Sequence, residues 1–200
     1  MKQYKTLQKY GKGQQKIKNS LFISYARPVE SETEAQAFVK EIKKLHKDAN
    51  HNVSAYIVKK ENFFVLKHED DGEPAGSSGK PVFKMLESKE LINAAVVVSR
   101  YFGGIKLGFG GLSKAYRETA LLAIEDAGIT EIYAQTEFRI LTEYQESQLV
   151  KSLIEEYGAL NNEKYTDKVE FLFSIKKDSE NTFIEKIKAQ TKNKIIIERL

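Results

Sequence analysis

Eight of the 12 glycines fall between positions 72 and 111, in two groups on either side of one short apolar run. Glycine that dense inside a folding chain marks backbone that must turn sharply or approach something closely. Two of the three prolines, Pro74 and Pro81, lie in the same window. The run that divides the glycine groups, residues 92–99 (INAAVVVS), has the length and apolar continuity of a buried strand. The sequence therefore predicts two tight loops, residues 69–80 and 100–110, placed around one buried strand.

At 200 residues the chain is long enough for two domains. Its 41% apolar content excludes a disordered or collagen-like protein. There are no cysteines, which excludes disulfides, cysteine-zinc sites, iron–sulfur clusters and thiol nucleophiles. His46, His51 and His68 do not fall at the spacing of a helical metal pair, so no resident metal is expected from them. Residues 1–130 hold 21 basic and 15 acidic groups, and residues 131–200 hold 11 and 13. Six lysines (Lys2, Lys5, Lys9, Lys12, Lys16 and Lys18) precede the first acid. They read as a solvated or edge-strand start, or as an arm that touches phosphate. No apolar segment suits a signal or a membrane span, so a soluble, cytoplasmic protein with no membrane partner is expected.

Residues 21–26 (LFISYA) read as a strand. Ser31 with Glu34 has the capping-box pattern, and Ala35, Phe38, Val39, Ile42 and Leu45 then repeat at helical spacing. Residues 53–58 and 62–67 read as a hairpin, and residues 81–88 as a short helix with Pro81 in its first turn. A long helix is expected over 111–127, closed by Gly128, with a linker over 129–131. Beyond it the order is strand 134–141, helix 143–157, strands 160–165 and 169–175, helix 179–190 and strand 194–198. Leu149, Leu153 and Ile154 are expected to face inward on the first of these helices, and Phe183, Ile184 and Ile187 on the second. This βαββαβ order is that of a ferredoxin-like unit, read as a packing or partner-binding module.

Three carboxylates, Asp70, Asp71 and Glu73, stand in the first loop with Gly72, Pro74, Gly76, Ser77, Ser78 and Gly79. They could hold Mg2+, cap the loop's own amides, or pair with basic groups. The spacing of Gly72 and Gly79-Lys80 excludes a Walker phosphate loop. The second loop sets Arg100, Lys106 and Lys114 among Tyr101, Phe102, Phe109 and Tyr116, with Gly103, Gly104, Gly108, Gly110 and Gly111. A glycine-rich approach to a helix start suits an anion, and interleaved basic and aromatic groups suit a nucleic-acid backbone and its bases. The alternative is that the aromatics are core and the glycines serve close packing. Ser77, Ser78 and Ser99 have no local histidine, and His51 reads as a buried or partner-facing group rather than a base. No catalytic residue is assigned.

Residues 70–81 (DDGEPAGSSGKP), 96–111 (VVVSRYFGGIKLGFGG) and 112–116 (LSKAY) together resemble the IMPACT family. Similar segments stand at 17–23 (IKNSLFI) and 51–56 (HNVSAY). The resemblance implies an α+β protein of two domains. Residues 1–130 would share their βαβ fold with the second domain of small-subunit ribosomal protein five. Residues 131–200 would be a ferredoxin-like domain similar to the last domain of elongation factor G. Eukaryotic members of the family regulate translation by binding the activator of a starvation kinase. They carry a different extra domain, so that partner does not transfer. The family often has cysteine where this chain has Val53, so no thiol chemistry is expected there.

The leading expectation is a translation-associated protein that binds RNA or the ribosome through the second loop. Arg100, Lys106 and Lys114 would meet phosphate, and Tyr101, Phe102 and Tyr116 would stack or pack. The five glycines would admit a close backbone. Asp70, Asp71 and Glu73 would orient the basic groups or hold a cation. The alternatives are a protein-binding regulator that uses the same loops, and a phosphate- or nucleotide-binding hydrolase. Apart from Mg2+ in the first loop, no cofactor is expected.

Overall fold

The computed structural model describes residues 2–192 and 194–200. Met1 and the side chains of Lys2 and Gln3 lie outside the described residues. The chain divides into two compact units, residues 4–131, and residues 132–200 with the extreme N-terminus. The segment 129–131, expected as a linker, instead belongs to a strand, β7 (Ile129–Tyr133), paired with β1 (Lys2–Leu7) in a two-stranded sheet. Its partner lies more than a hundred residues away in sequence, so the local pattern carries no sign of pairing.

In residues 4–131, five strands form one antiparallel sheet: β2 (Gly11–Ile17), β3 (Ser20–Pro28), β4 (His51–Lys59), β5 (Phe64–Glu69) and β6 (Ala94–Tyr101). Their order is β2-β3-β6-β4-β5. The central strand β6 explains the unbroken apolar run. Side chains alternate across a strand, so continuous apolarity requires cover on both faces. Ala94, Val96 and Val98 pack with Phe22, Leu86, Tyr116 and Ile124 under α2 (Gly79–Ser88) and α3 (Gly108–Ala127). Ala95 and Val97 pack with Tyr25, Phe38 and Ile42 under α1 (Glu32–Leu45). The lysine-rich start is thus a pair of strands, and β2 is an edge of the sheet. Ser31 caps α1, its hydroxyl accepting from the Glu34 amide at 3.2 Å. The Glu34 carboxylate reaches past the cap to the Glu30 amide at 2.8 Å.

In residues 132–200, the strands are β8 (Gln135–Thr142), β9 (Gly158–Tyr165), β10 (Val169–Lys176) and β11 (Ile196–Arg199), in the order β11-β8-β10-β9. All neighbours are antiparallel. Helices α4 (Tyr144–Tyr157) and α5 (Glu180–Gln190) complete the βαββαβ succession and cover Phe138, Ile140, Phe171 and Phe173. On α4 the buried face is Val150, Leu153 and Ile154, while Leu149 is 39% exposed. Leu149 also sits at helical spacing from Leu153, but the sheet selects the neighbouring stripe. On α5 Phe183 and Ile187 are buried and Ile184 is half-buried.

Candidate functional site

The first loop is built around Asp70. Its Oδ1 accepts from the Ser78 hydroxyl at 2.6 Å, the Gly79 amide at 2.8 Å and the Ser78 amide at 3.1 Å, and its Oδ2 from the Gly76 amide at 2.8 Å. Burial pushes this carboxyl up, but the Ser78 hydroxyl and the three amides outweigh it and hold it below the usual range. Asp71 turns away, with one oxygen 2.7 Å from Lys43 Nζ and the other accepting from the Asn52 amide at 2.6 Å. Gly72 and Gly76 take positive φ, +86° and +76°, as the bend requires. This folding drives Glu73 inward, with its side chain 3% exposed.

The three carboxylates thus diverge. One serves amides, one serves Lys43 and one is buried. Among the described residues, no group of three or more acidic, histidine or cysteine side chains is placed to hold a metal ion. The loop's own amides and basic groups account for the acids.

The second loop starts later and ends earlier than expected. Arg100 and Tyr101 are the last residues of β6, and Gly108, Gly110 and Gly111 already belong to α3. Glycine's low helix propensity hid that first turn, which is anchored by Leu112 in the core. Arg100 is 4% exposed, so it is not a free phosphate contact. Its Nη1 donates to Glu73 Oε1 at 2.6 Å, and its guanidinium lies between the rings of Phe22 and Phe102, 5.3 and 5.2 Å from their centroids. Its Nε has no hydrogen-bond partner among the described residues. Tyr116 is fully buried and donates its hydroxyl to the same Glu73 oxygen at 2.8 Å. Burial, then the Glu73 carboxylate, push that phenol far above its usual range. Tyr116 therefore packs and cannot stack on a ligand. Tyr101 is likewise engaged, its hydroxyl 2.8 Å from His46 Nδ1, while His46 Nε2 lies 2.6 Å from the Tyr25 hydroxyl. Ser99 donates to Asn52 at 2.7 Å.

The glycines separate by role. A Cβ at Gly103 would lie 2.1 Å from the Asn19 carbonyl carbon, so its close approach is to this chain's own backbone. Gly104, Gly108 and Gly110 face open space. Beside them lies a cavity of about 410 Å³ whose lining includes His51, Glu73, Arg100, Phe102, Lys106 and Phe109. Phe102 is 43% exposed and Phe109 60%. His51 is fixed by a 2.8 Å bond from Nδ1 to the Asp71 carbonyl, and its Nε2 is 3.9 Å from Glu73.

Phe109 also borders a larger groove between α2 and α3, about 1170 Å³, lined by Lys80, Lys84, Lys114 and Arg117 with Glu87 as its one acid. Lys80 and Lys84 are one turn apart on α2, as are Lys114 and Arg117 on α3. Lys114 reaches Glu118 at 3.9 Å, and among the described residues Lys80, Lys84 and Arg117 make no ion pair. Lys84 and Arg117 were not singled out from the sequence. Their helical spacing was visible, but nothing local said that the two helices would set both pairs around one groove. Helix α3 begins at this junction with no side-chain cap and no acid in its first turn. That leaves amide donors and a partial positive charge there.

Residues 18–124, which contain both loops and all four groove cations, match the family model described as the Impact N-terminal domain. The chain belongs to the IMPACT family. Residues 140–194 match a second model, a domain of unknown function (DUF1949). The IMPACT family member YvyE of Bacillus subtilis is 36% identical over 91% of this chain and 84% of its own length. Protein IMPACT of Xenopus laevis is 34% identical over 46% of this chain and 30% of its own, so the vertebrate likeness is confined to part of each protein. A solved crystal structure of a hypothetical protein aligns over 100% of this chain and 98% of that one, with a TM-score of 0.63 and 27% identity. No helix among the described residues of this IMPACT family chain is long and apolar enough to cross a membrane.

Proposed function

We propose that this protein is a translation-linked regulator that binds single-stranded RNA on the face where α2, α3 and the second glycine loop meet. Membership of the IMPACT family supports the link to translation. The RNA reading rests on one observation. A groove lined by Lys80, Lys84, Lys114 and Arg117 runs to the exposed ring of Phe109, with Lys106 and Phe102 beyond it. Cations that track a phosphate backbone beside aromatic faces that stack bases are the two parts of a single-strand site. The proposal keeps the expected kinships of the two units, with small-subunit ribosomal protein five and with the last domain of elongation factor G, since both relatives touch RNA or the ribosome.

Fluorescence anisotropy of a short labelled single-stranded RNA at low salt tests the reading. The double variant Lys84→Glu, Lys114→Glu reverses two surface charges and leaves the core intact. It should weaken binding by roughly tenfold or more while the melting temperature holds. Binding equal to that of the unmodified protein would overturn the assignment. A second reading, docking of a protein partner on the same loops, is favoured by the exposed Phe102, Ile105 and Phe109. That contact would survive rising salt, whereas phosphate contacts would not.

A further inference from the structure

Six lysines precede the first acid of the chain, and the fold sorts them. Lys5 pairs with Glu90 at 2.6 Å. Lys12 lies along β2, its amide donating to Asp126 of α3 at 2.9 Å and its ammonium 5.5 Å from the Tyr25 ring centroid. Lys18 stands in the turn between β2 and β3. The pairing of Ile17 with Ser20 leaves Lys18 and Asn19 as a two-residue connection, and both take positive φ, +44° and +65°. Such a turn favours asparagine, aspartate or glycine at its first position, because few other residues enter that region without strain. Backbone preference therefore does not account for a lysine there. Lys18 is exposed and makes no ion pair among the described residues.

The turn is tied to the second glycine loop. The Ser20 hydroxyl accepts from the Gly103 amide at 3.1 Å and from Arg100 Nη2 at 3.5 Å. Gly103 has no room for a Cβ because the Asn19 backbone lies against it. A strained, exposed lysine is thus held beside the loop that carries the exposed Phe102, Ile105 and Lys106. Strain that the surrounding structure maintains is characteristic of functional positions. We propose that the β2–β3 turn is a further contact for the RNA backbone. A strand leaving the groove between α2 and α3 passes the rings of Phe109 and Phe102, and its phosphates meet Lys106 and then Lys18. This deepens the RNA reading above and rests on it. It adds Lys18 to the cations of the two concavities, for RNA long enough to reach the turn.

The experiment is anisotropy with labelled oligouridylates from about four to about twelve nucleotides long, the span of ordinary single-strand sites. Lys18→Asn and Lys18→Gly both suit the turn and both remove the charge. Each should weaken the longest oligonucleotide roughly fivefold at about 0.1 M salt, the contribution of one single-strand phosphate contact. Neither should change the shortest. The melting temperature should hold or rise, which a merely structural role for Lys18 would not allow, and Lys18→Arg should keep the affinity. Lys12→Gln, six residues back along β2 and about 20 Å away, should leave every length unchanged. Lys84→Glu with Lys114→Glu should weaken all lengths. If Lys18→Asn binds every length as the unmodified protein does while the groove variant is weakened, the turn contact is overturned and the groove reading stands. A loss of equal size at every length, matched by Lys12→Gln, would reflect general charge and also overturn it. If the length-dependent loss appears while the groove variant binds normally, the turn contact stands and the groove reading fails. No binding at any length would overturn both.

Discussion

Asp70 satisfies four donors with one carboxylate, and so it sets where Glu73 and the rest of the first loop go. Hydrogen bonds to a charged acceptor are the stronger kind, so Asp70→Ala should cost about 3 kcal/mol, read as a lower denaturant midpoint at neutral pH. The acid dependence has a definite sign. The folded carboxyl sits below its ordinary value of 3.8, so as pH falls the unfolded chain takes up this proton first. The stability it contributes is complete above that ordinary value and is lost as pH falls through the folded one. An unfolding series carried into acid should show a smaller loss for Asp70→Ala than for the unmodified protein. Parallel curves would mean that the loop amides find other partners. At this scale the sequence showed three acids and a turn-rich loop, with caps, basic partners and a cation all open. The choice between them lies with Lys43, Arg100 and Tyr116, which stand far from the loop in sequence. The same distance hid the burial of Arg100, because nothing adjacent to it supplies the carboxylate it needs.

Between elements, the contact least legible in the sequence is that of β2 with α3. Gly11 and Gly13 lie outside the glycine-rich window and carried no reading of their own. In the structure a Cβ at Gly11 would stand 2.2 Å from the Ala123 carbonyl oxygen, and one at Gly13 would stand 2.5 Å from Leu122 Cβ. The edge strand thus lies directly on the helix, and its two glycines are what let it. Gly11→Ala makes the point measurable because the two expectations have opposite signs. In an open strand the alanine would stabilise by restricting the unfolded chain, by about 0.5 kcal/mol. Against α3 it overpacks, and the cost should be about 2 kcal/mol, seen as a fall in thermal midpoint. A midpoint that rises would show that the strand does not lie on the helix. Elements whose partners are local or whose periodicity is strong were legible: α1 with its Ser31 cap, the β4–β5 hairpin, and the alternating β10. Those decided by remote contacts were not: the start of α3, the pairing of β7, and the burial of Val150 rather than Leu149 beside Leu153 and Ile154 on α4.

For the whole molecule the question is which charges a ligand would sense. The formal net charge of +4 is too small to select a polyanion by itself. What distinguishes one face is local density. Besides the buried Arg100, five cations, Lys80, Lys84, Lys106, Lys114 and Arg117, border two adjoining concavities, with Glu73 and Glu87 the acids among their lining. Glu73 is already matched by Arg100, which leaves Glu87 as the opposing charge. The salt dependence of binding follows from that count. Each single-strand phosphate neutralised should contribute about 0.7 to the slope of log affinity against log salt, so full use of the face gives a slope of about −3.5. Lys84→Gln with Lys114→Gln removes two of the five without reversing charge, and should flatten the slope by about 1.4. The control is Lys188, exposed on α5 in the unit 132–200, whose change to Gln should leave the slope alone. Anisotropy titrations across a range of salt measure all three. A slope near zero in the unmodified protein would mean that Phe102, Ile105 and Phe109 meet an apolar surface rather than bases, and a slope unmoved by the double change would place the phosphates on another face. A slope that flattens with the groove lysines and ignores Lys188 would locate the polyanion on α2 and α3.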